Sequence, residues 1–252
     1  MKVHVYKLKC ITNLHVGSGD FNYGVVDNEV ERDCLTGNPV IHASGIKGAL
    51  RDAAVKDGNQ EVKTIFGDVG ENNTAMPGAY KFFDAQLLSR PLRVFGSEAI
   101  SYISVTTPEI INTFIDTLSV FGIDNLPEKL NISFNGHKFY SDVPNIYIDS
   151  DEEASRTVAI PDAAKNTLKA ILGENYAVCE SLSEFKLPVI ARNKLGKNNN
   201  LWYEEFVPHD SVFYTMIMCD GDVKLDFSKP VQFGGNASIG YGYTKVEKFG
   251  GK

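Results

Sequence analysis

The residues best suited to act on an anion come directly after the first predicted strand. The segment Leu14-His15-Val16-Gly17-Ser18-Gly19 places a histidine beside two glycines. Glycines let backbone N–H groups approach a ligand closely, and a histidine near neutral pH can contact a phosphate or move a proton. The alternative interpretation is a capped loop in which His15 is purely structural.

A second candidate is the segment SGIKGALR at 44–51. Ser44 is expected to cap a helix over about Gly45–Val55. Lys47 and Arg51 lie four residues apart and therefore share one face of that helix, close to its N-terminus. Like charges at this spacing repel, so an external anion is a suitable partner. The alternative is an ordinary solvated helix face.

Two further segments favour contact with an extended, anionic polymer. Four glycines and two tyrosines lie in GGNASIGYGY at 234–243, a composition that permits close approach of a strand to a polymer, or a run of bulges and turns. Residues 185–203 carry Lys186, Arg192, Lys194 and Lys197 and no carboxylate, although the chain as a whole has a net charge of −7. This segment predicts a local anion site on an acidic protein.

Common catalytic motifs are absent from the sequence. It contains no GxxxxGK[ST], GxGxxG, HExxH or GxSxG, and its five histidines show no metal-ligand spacing. The four cysteines form no CxxC pair, which fits free thiols in a reducing cytoplasm. No apolar run approaches the roughly 20 residues of a membrane span, so we expect a cytoplasmic protein without a membrane partner.

The elements that must position these residues alternate between strands and helices. We predict strands at 3–8, 80–88, 99–106 and 212–219, and helices over about 45–55 and 108–121, the second one capped by Thr107. In chain order this is an α+β, ferredoxin-like (RRM-like) βαββαβ arrangement. The long segment 13–39 is expected to be an irregular loop. The middle region predicts short strands near 146–148 and 157–160 and a helix near 162–172, and residues 186–200 end in a hairpin tip at 196–200.

Several segments together resemble a known family. The first strand followed by LHVGSG, then NPVIHASGIKGALRD and the glycine-rich tail, resembles the RAMP superfamily of CRISPR-associated proteins. More specific segments, over residues 3 to about 246, look like the repeated backbone subunit of the type III-B (Cmr) effector complex; they are GVVDNEVERD at 24–33, IFG at 65–67, FFDAQLLSRPLRV at 82–94, LPVIARNKL at 187–195, LWYEEFVP at 201–208 and FGGNASIGYGYT at 233–244.

The resemblance implies a single RAMP domain over residues 1–252, with a palm at about 1–120 and 207–252, a middle insertion at 121–186 and a β-hairpin thumb at 187–206. It implies that copies stack head to tail along a guide RNA (crRNA) and that each thumb displaces a base pair of the guide–target duplex. Further implied partners are the complementary target RNA and other type III-B subunits, including the large polymerase-like subunit and the small helical subunit.

The resemblance also implies cleavage of the target RNA at regular intervals with a divalent metal, Mg²⁺ or Mn²⁺. The aspartate of the family's cleavage loop matches Asp27, which is expected to accept a proton from the attacking 2′-OH or to hold a hydrated metal ion through water. The candidate helpers are His15, Glu204 and Glu205. The expected RNA-binding residues are Ser44, Lys47, Arg51, Arg192, Asn193, Lys194, Gly234 and Gly235.

Two other functions remain open from the sequence. One is a structural guide-binding backbone subunit in a complex whose cleavage is done by another subunit, against which Asp27 is the argument. The other is a RAMP nuclease that processes the guide precursor, which would require a strong histidine site and a second ferredoxin-like half. Neither a strong histidine site nor a second ferredoxin-like half is evident in the sequence.

Overall fold

A computed structural model describes residues 1–17, 25–69, 75–149, 154–194 and 200–250. The chain forms two compact units, one from 1–86 with 187–252 and the other from 87–186. The elements in chain order are β1 Lys2–Cys10, β2 Val40–Ile41, α1 Ala43–Lys56, α2 Val62–Phe66, β3 Gly67–Val69, β4 Ala75–Pro77, β5 Lys81–Phe82, β6 Ala85–Phe95, β7 Tyr102–Thr106, α3 Pro108–Val120, β8 Phe139–Ser141, β9 Tyr147–Ile148, β10 Ser155–Ala159, α4 Asp162–Leu172, β11 Tyr176–Val178, β12 Val189–Lys194, β13 Asn200–Glu205, β14 Val212–Cys219, β15 Val231–Gln232, a 3₁₀ turn Ala237–Ile239 and β16 Tyr243–Lys248.

The first unit is organised around β1. This strand pairs antiparallel with β14 on one side and with β16 on the other, so that both of its edges are satisfied. Its alternation buries His4, Tyr6, Leu8 and Cys10 on one face, and Val5 is buried on the other. β5 extends the sheet at β14, and β15 extends it at β16.

Helix α1 belongs to the same unit and buries one apolar stripe. Ile46, Leu50 and Ala54 recur every four residues and are buried, which is the period expected of a helix packed on one face. The predicted cap at Ser44 is wrong. The N-cap residue is His42, whose side chain makes no capping bond; instead, Oδ1 of Asp84 accepts a hydrogen bond from the amide of Ala43 at 2.6 Å.

The second unit is a small closed sheet. Within its described residues, β6 pairs with β7, β7 with β11, β11 with β8, β8 with β10, β10 with β9, and β9 again with β6. Closure removes free edges between these strands. Helix α3 begins at the predicted cap, where the Thr107 side chain accepts from the amide of Ile110, and it buries the predicted apolar face with Phe114 and Leu118 fully enclosed.

The structure confirms a mixed α/β fold with a sheet-dominated core, but it does not confirm a βαββαβ unit. The predicted strand 80–88 is two strands, β5 and β6. Asp84 lies between them, and its side chain accepts a hydrogen bond from the amide of Ala43 at the start of α1. In addition, β7 lies between β6 and β11, a strand of the middle region. The predicted strand at 212–219 and the helix at 162–172 are confirmed.

The cysteines are free thiols, as predicted. Three of them are buried, and burial raises the pKa of Cys10 and Cys179 to about 12. Such thiols are inert members of the core. No helix in the described ranges is both long and apolar enough to cross a membrane.

Candidate active site and RNA interface

The predicted hairpin is present in the first unit and forms the framework of the site. β12 and β13 pair antiparallel, from Val189 opposite Glu205 to Lys194 opposite Asn200. The predicted tip at 196–200 lies outside the described residues except for Asn200, as does the side chain of Lys194. Asn193 is exposed on the hairpin. Large side chains are also exposed on both strands, Val189 to 45% on β12 and Leu201 to 59% and Tyr203 to 42% on β13.

Asp27 lies against the outer edge of β13. Its amide donates to the carbonyl of Tyr203 at 3.1 Å, and its Oδ2 accepts from the amide of Tyr203 at 2.8 Å. The amide of Glu205 donates to the carbonyl of Asn28 at 2.9 Å. The chain after Asp27 therefore runs parallel to β13, with Asn28 bridged to Glu204. One carboxylate oxygen of Asp27 is therefore held by backbone, and the described residues provide no partner for the other.

Glu205 holds the residues that follow. Its Oε2 accepts from the amide of Val30 at 3.0 Å, and its Oε1 accepts from Nη2 of Arg32 at 2.5 Å. The side chain is only 9% exposed. The predicted helper is thus engaged in structural contacts, because both of its oxygens are occupied by this segment.

His15 reaches the same strand from the loop after β1. Its Nδ1 lies 2.7 Å from the carbonyl oxygen of Glu205. A carbonyl only accepts, so Nδ1 is the donor, and Nε2 of the neutral ring then carries a lone pair that has no partner among the described residues. A Cβ at Gly17 would lie 2.8 Å from this Nε2. The absence of a side chain at Gly17 therefore keeps the basic nitrogen clear, whereas Ser18 and Gly19 of the same motif lie outside the described residues.

Glu204 points to the opposite side of β13 and is also paired. Its Oε1 accepts from Nε of Arg192 at 2.8 Å and from Nδ2 of Asn236 at 2.6 Å. The guanidinium of Arg192 lies over the ring of Tyr241, 4.8 Å from its centroid. Arg192 is 16% exposed and Glu204 is 5% exposed. Arg192, which the sequence predicts to bind RNA, therefore joins the hairpin to the glycine-rich tail.

The glycines of the tail approach another part of the protein. Gly234 has φ +72°, and a Cβ there would overlap the carbonyl oxygen of His15. The amide of Gly235 donates to the same carbonyl at 2.8 Å. The close backbone approach that the glycines predict is thus made, within the chain, to the loop that carries His15.

The basic residues of α1 form a separate group. Arg51 is exposed and Lys47 is half-buried, and neither makes an ion pair with any residue that the structure describes. Ser44 is exposed in the first turn. At the start of the helix, His42 lies 3.4 Å from Glu31 and 3.5 Å from Asp84. Desolvation lowers the pKa of His42, but its hydrogen bonds to the two carboxylates outweigh this, and the net pKa is raised.

Sequence reasoning missed the residues that tie the site together. Arg32 lies within the motif GVVDNEVERD, and Asn236 and Tyr241 lie within the glycine-rich tail, but their partners are more than 30 residues away. The backbone of Tyr203, which holds Asp27, leaves no signal in a side-chain pattern.

The donor set does not fit a resident metal ion. Among the residues that the structure describes, no three His, Cys, Asp or Glu side chains are grouped so as to hold one. Asp27 offers a single carboxylate oxygen, whereas protein-bound Mg²⁺ needs six ligands, several of them water or phosphate. No resident site for Mg²⁺ or Mn²⁺ is therefore formed by these residues alone.

The fold and the matched sequence define the class of protein. The RAMP superfamily pattern matches residues 7–245, and the chain belongs to this superfamily. It is 28% identical to the CRISPR system Cmr endoribonuclease Cmr4 of Pyrococcus furiosus, over 98% of this chain and 95% of that protein. The resemblance to the repeated subunit of type III-B (Cmr) complexes is thereby confirmed.

Solved structures share the fold over nearly the whole length. A chain of the type III-B Cmr-beta complex bound to cognate target RNA superimposes with a TM-score of 0.77 at 20% identity, covering 99% of this chain and 98% of that one. Oligomeric Cmr4 from Pyrococcus furiosus superimposes with a TM-score of 0.72 at 24% identity, covering 99% of each chain.

Proposed function

We propose that this protein is the guide-RNA-binding backbone subunit of a type III-B CRISPR effector and that it cleaves complementary target RNA at regular intervals. The observation that carries the proposal is the position of Asp27, whose carboxylate is fixed by one oxygen at the edge of the hairpin and has no partner for the other among the described residues. The relative of Pyrococcus furiosus is named an endoribonuclease, and a structural neighbour is a chain of a type III-B Cmr-beta complex bound to cognate target RNA.

The chemistry needs little from the protein besides alignment and proton transfer. The 2′-OH of a displaced target nucleotide attacks the adjacent phosphorus, the bond to the 5′ oxygen breaks, and a 2′,3′-cyclic phosphate and a 5′-OH result. Asp27 takes the proton of the 2′-OH, the leaving 5′ oxygen takes a proton from water, and His15 is the second group able to move a proton. Unstacking of the nucleotide allows the in-line geometry that an A-form duplex prevents.

Asp27 is also the residue we propose for a hydrated Mg²⁺ or Mn²⁺, held through water and completed by RNA phosphates. That arrangement would supply charge stabilisation at the phosphate.

The RNA partners are expected along two groups of residues. We propose that Ser44, Lys47 and Arg51 of α1 contact the guide backbone, since the two cations lack internal ion pairs in the described structure. Asn193 and Lys194 on the hairpin are proposed to contact the duplex. Arg192, Gly234 and Gly235 are proposed to support this surface from within.

The proposal includes an assembly. Copies stack head to tail on the crRNA in the cytoplasm, beside the large polymerase-like and the small helical subunits. We propose one RAMP domain with a thumb at 187–206, a middle insertion at 121–186 and a ferredoxin-like palm at about 1–120 and 207–252. The antiparallel β1–β14 pair supports the palm.

The test uses the reconstituted complex with a matched guide and an end-labelled complementary RNA, with Mg²⁺ or with EDTA. Asp27→Asn keeps an oxygen for the Tyr203 amide and removes the base, so a regularly spaced ladder should weaken roughly 10²–10⁴-fold while target binding stays intact. Glu29→Gln, which removes a neighbouring exposed charge, is the control. An unchanged ladder for Asp27→Asn contradicts the assignment, and no ladder in the wild type favours the purely structural guide-binding subunit.

A further inference from the structure

A single carboxylate anchors the segment that follows Asp27. Both oxygens of Glu205 are used by residues of this segment, one by the amide of Val30 and the other by the guanidinium of Arg32. Arg32 is held at its other nitrogen as well, because Nη1 donates to the carbonyl of Gly37 at 3.2 Å. These contacts therefore tie Val30 and Arg32 to β13, and they tie Arg32 to the backbone at Gly37.

The Glu205 end of the anchor is shielded from water, whereas the Arg32 side chain is 39% exposed. The Glu205 side chain is 9% exposed and Val30 is 3% exposed. Charge-assisted hydrogen bonds in such surroundings are shorter and stronger than neutral ones, and they compete little with solvent. By contrast, the bond between Asp27 Oδ2 and the Tyr203 amide is exposed.

The segment has a second neighbour that does not replace this anchor. The amide of Glu31 donates to the carbonyl of Val16 at 2.7 Å, and Gly17 bridges to Val30. These are contacts between backbone groups, and the strand could form equivalent ones after a shift of two residues along its partner. A slip by one residue turns every side chain to the other face. Among the described residues, the pair of the Arg32 guanidinium with the Glu205 carboxylate is a close side-chain contact that such a slip would break, beside the longer contact of Glu31 with His42.

We infer that Glu205 and Arg32 are positioning residues for the cleavage reaction: their ion pair sets the register of residues 27–32 beside β13 and so holds the Asp27 carboxylate where the RNA phosphate arrives. This inference rests on the proposed function of Asp27. Glu205 itself transfers no proton, because both of its oxygens accept hydrogen bonds from the segment.

The test measures single-turnover cleavage at saturating target in the reconstituted complex, for Arg32→Ala, Arg32→Lys, Glu205→Gln and the double variant Arg32→Ala/Glu205→Gln. A displaced carboxylate should slow cleavage about 10–100-fold with unchanged target Kd and an unchanged shape of the pH–rate profile. Arg32→Lys should restore most of the rate, and the double variant should be no slower than Glu205→Gln. The control is Asp116→Asn, which breaks the exposed pair with Lys129.

Hydrogen exchange of residues 25–32 in the same complexes provides a readout independent of cleavage. We expect faster exchange of the Val30 amide in Arg32→Ala and Glu205→Gln. Unchanged exchange, a rate equal to wild type, or a lost limb of the pH profile in Glu205→Gln alone would each overturn the inference. If Asp27→Ala cleaves normally while hydrogen exchange of the Val30 amide still increases in Arg32→Ala and Glu205→Gln, the proposed role of Asp27 fails. The anchoring of the segment by Glu205 and Arg32 then stands on its own.

Discussion

Asp27 and Tyr203 hold each other through two backbone-directed hydrogen bonds, although 176 residues separate them in the chain. The Asp27 amide donates to the Tyr203 carbonyl at 3.1 Å, and the Tyr203 amide donates to Oδ2 of Asp27 at 2.8 Å. The residue proposed to cleave RNA is thereby attached to the strand of the hairpin proposed to displace the base pair. Movement of one necessarily affects the other.

This relationship predicts different stability effects for two substitutions of Asp27. Asp27→Ala removes the acceptor for the Tyr203 amide and should lower the free energy of unfolding by about 1 kcal/mol. Asp27→Asn retains an acceptor and should leave it nearly unchanged, while both variants lose cleavage. Urea unfolding of the two proteins compares them directly. Equal stability losses would show that the carboxylate charge, rather than the hydrogen bond, holds the segment.

Arg192 is predicted to matter mainly for stability. Arg192→Met keeps an apolar stem beside Tyr241 but leaves the buried Glu204 without its cation, so we expect a decrease of about 3 kcal/mol in the free energy of unfolding. Adding Glu204→Gln removes the unpaired charge and should recover more than half of that decrease. The measurement is urea unfolding of the single and double variants.

The contrary result for Arg192 would be equally informative. If Arg192→Met unfolds like the wild type and flattens the salt dependence of guide binding, Arg192 contacts RNA as the sequence alone predicts. A double variant less stable than the single one would also contradict the buried-pair interpretation.

Lys47 and Arg51 are expected to bind phosphates of the guide. Replacing both with alanine should weaken guide binding and reduce the slope of log K against log salt by about 0.7 for each phosphate that is no longer neutralised. Lys56→Ala is the matched control on the same helix, because Lys56 is already paired with Asp52 at 2.5 Å. Filter binding between low and high salt measures the slopes, and identical slopes for wild type and the double variant would remove α1 from the RNA interface.

Two glycines of the tail should respond differently to alanine. Gly240 has φ +82° and open space around it, so Gly240→Ala should cost only the left-handed backbone strain of about 1 kcal/mol. At Gly234, φ is +72° and an added Cβ would overlap the carbonyl oxygen of His15. Gly234→Ala should therefore lower the free energy of unfolding by about 3 kcal/mol or more. Chemical unfolding measures both, and equal effects would contradict the close packing of the tail on the His15 loop.

His42 predicts a pH dependence of stability. Its pKa in the folded chain is raised above the ordinary value of 6.5, so the folded state favours the protonated ring. The resulting stabilisation is complete below pH 6.5 and is lost as the pH rises through the higher folded pKa. The side chain is half exposed, so the effect is small. Thermal melting from about pH 5.5 to 8.5 should show this component in wild type and not in His42→Asn, and parallel curves would contradict it.

The sequence by itself determined the local elements of this protein. Thr107-Pro108 marks the start of α3, the stripe Ile46, Leu50 and Ala54 marks the buried face of α1, and alternation marks β1. These signals depend on neighbours within one or two turns of the chain, which is why they can be read without a structure. The ordered motifs likewise identified the RAMP superfamily.

Tertiary structure decided where long-range partners lie and which predicted residues are available. His42 takes the N-cap position of α1 that the sequence predicts for Ser44, with the Asp84 carboxylate accepting from the amide of Ala43, and the middle region pairs with β7. Glu204, Glu205 and Arg192 lie in largely buried ion pairs. A charged side chain has the same sequence signature whether it faces solvent or a counter-ion. Burial beside a partner distant in sequence distinguishes the two, and only the folded chain brings those partners together.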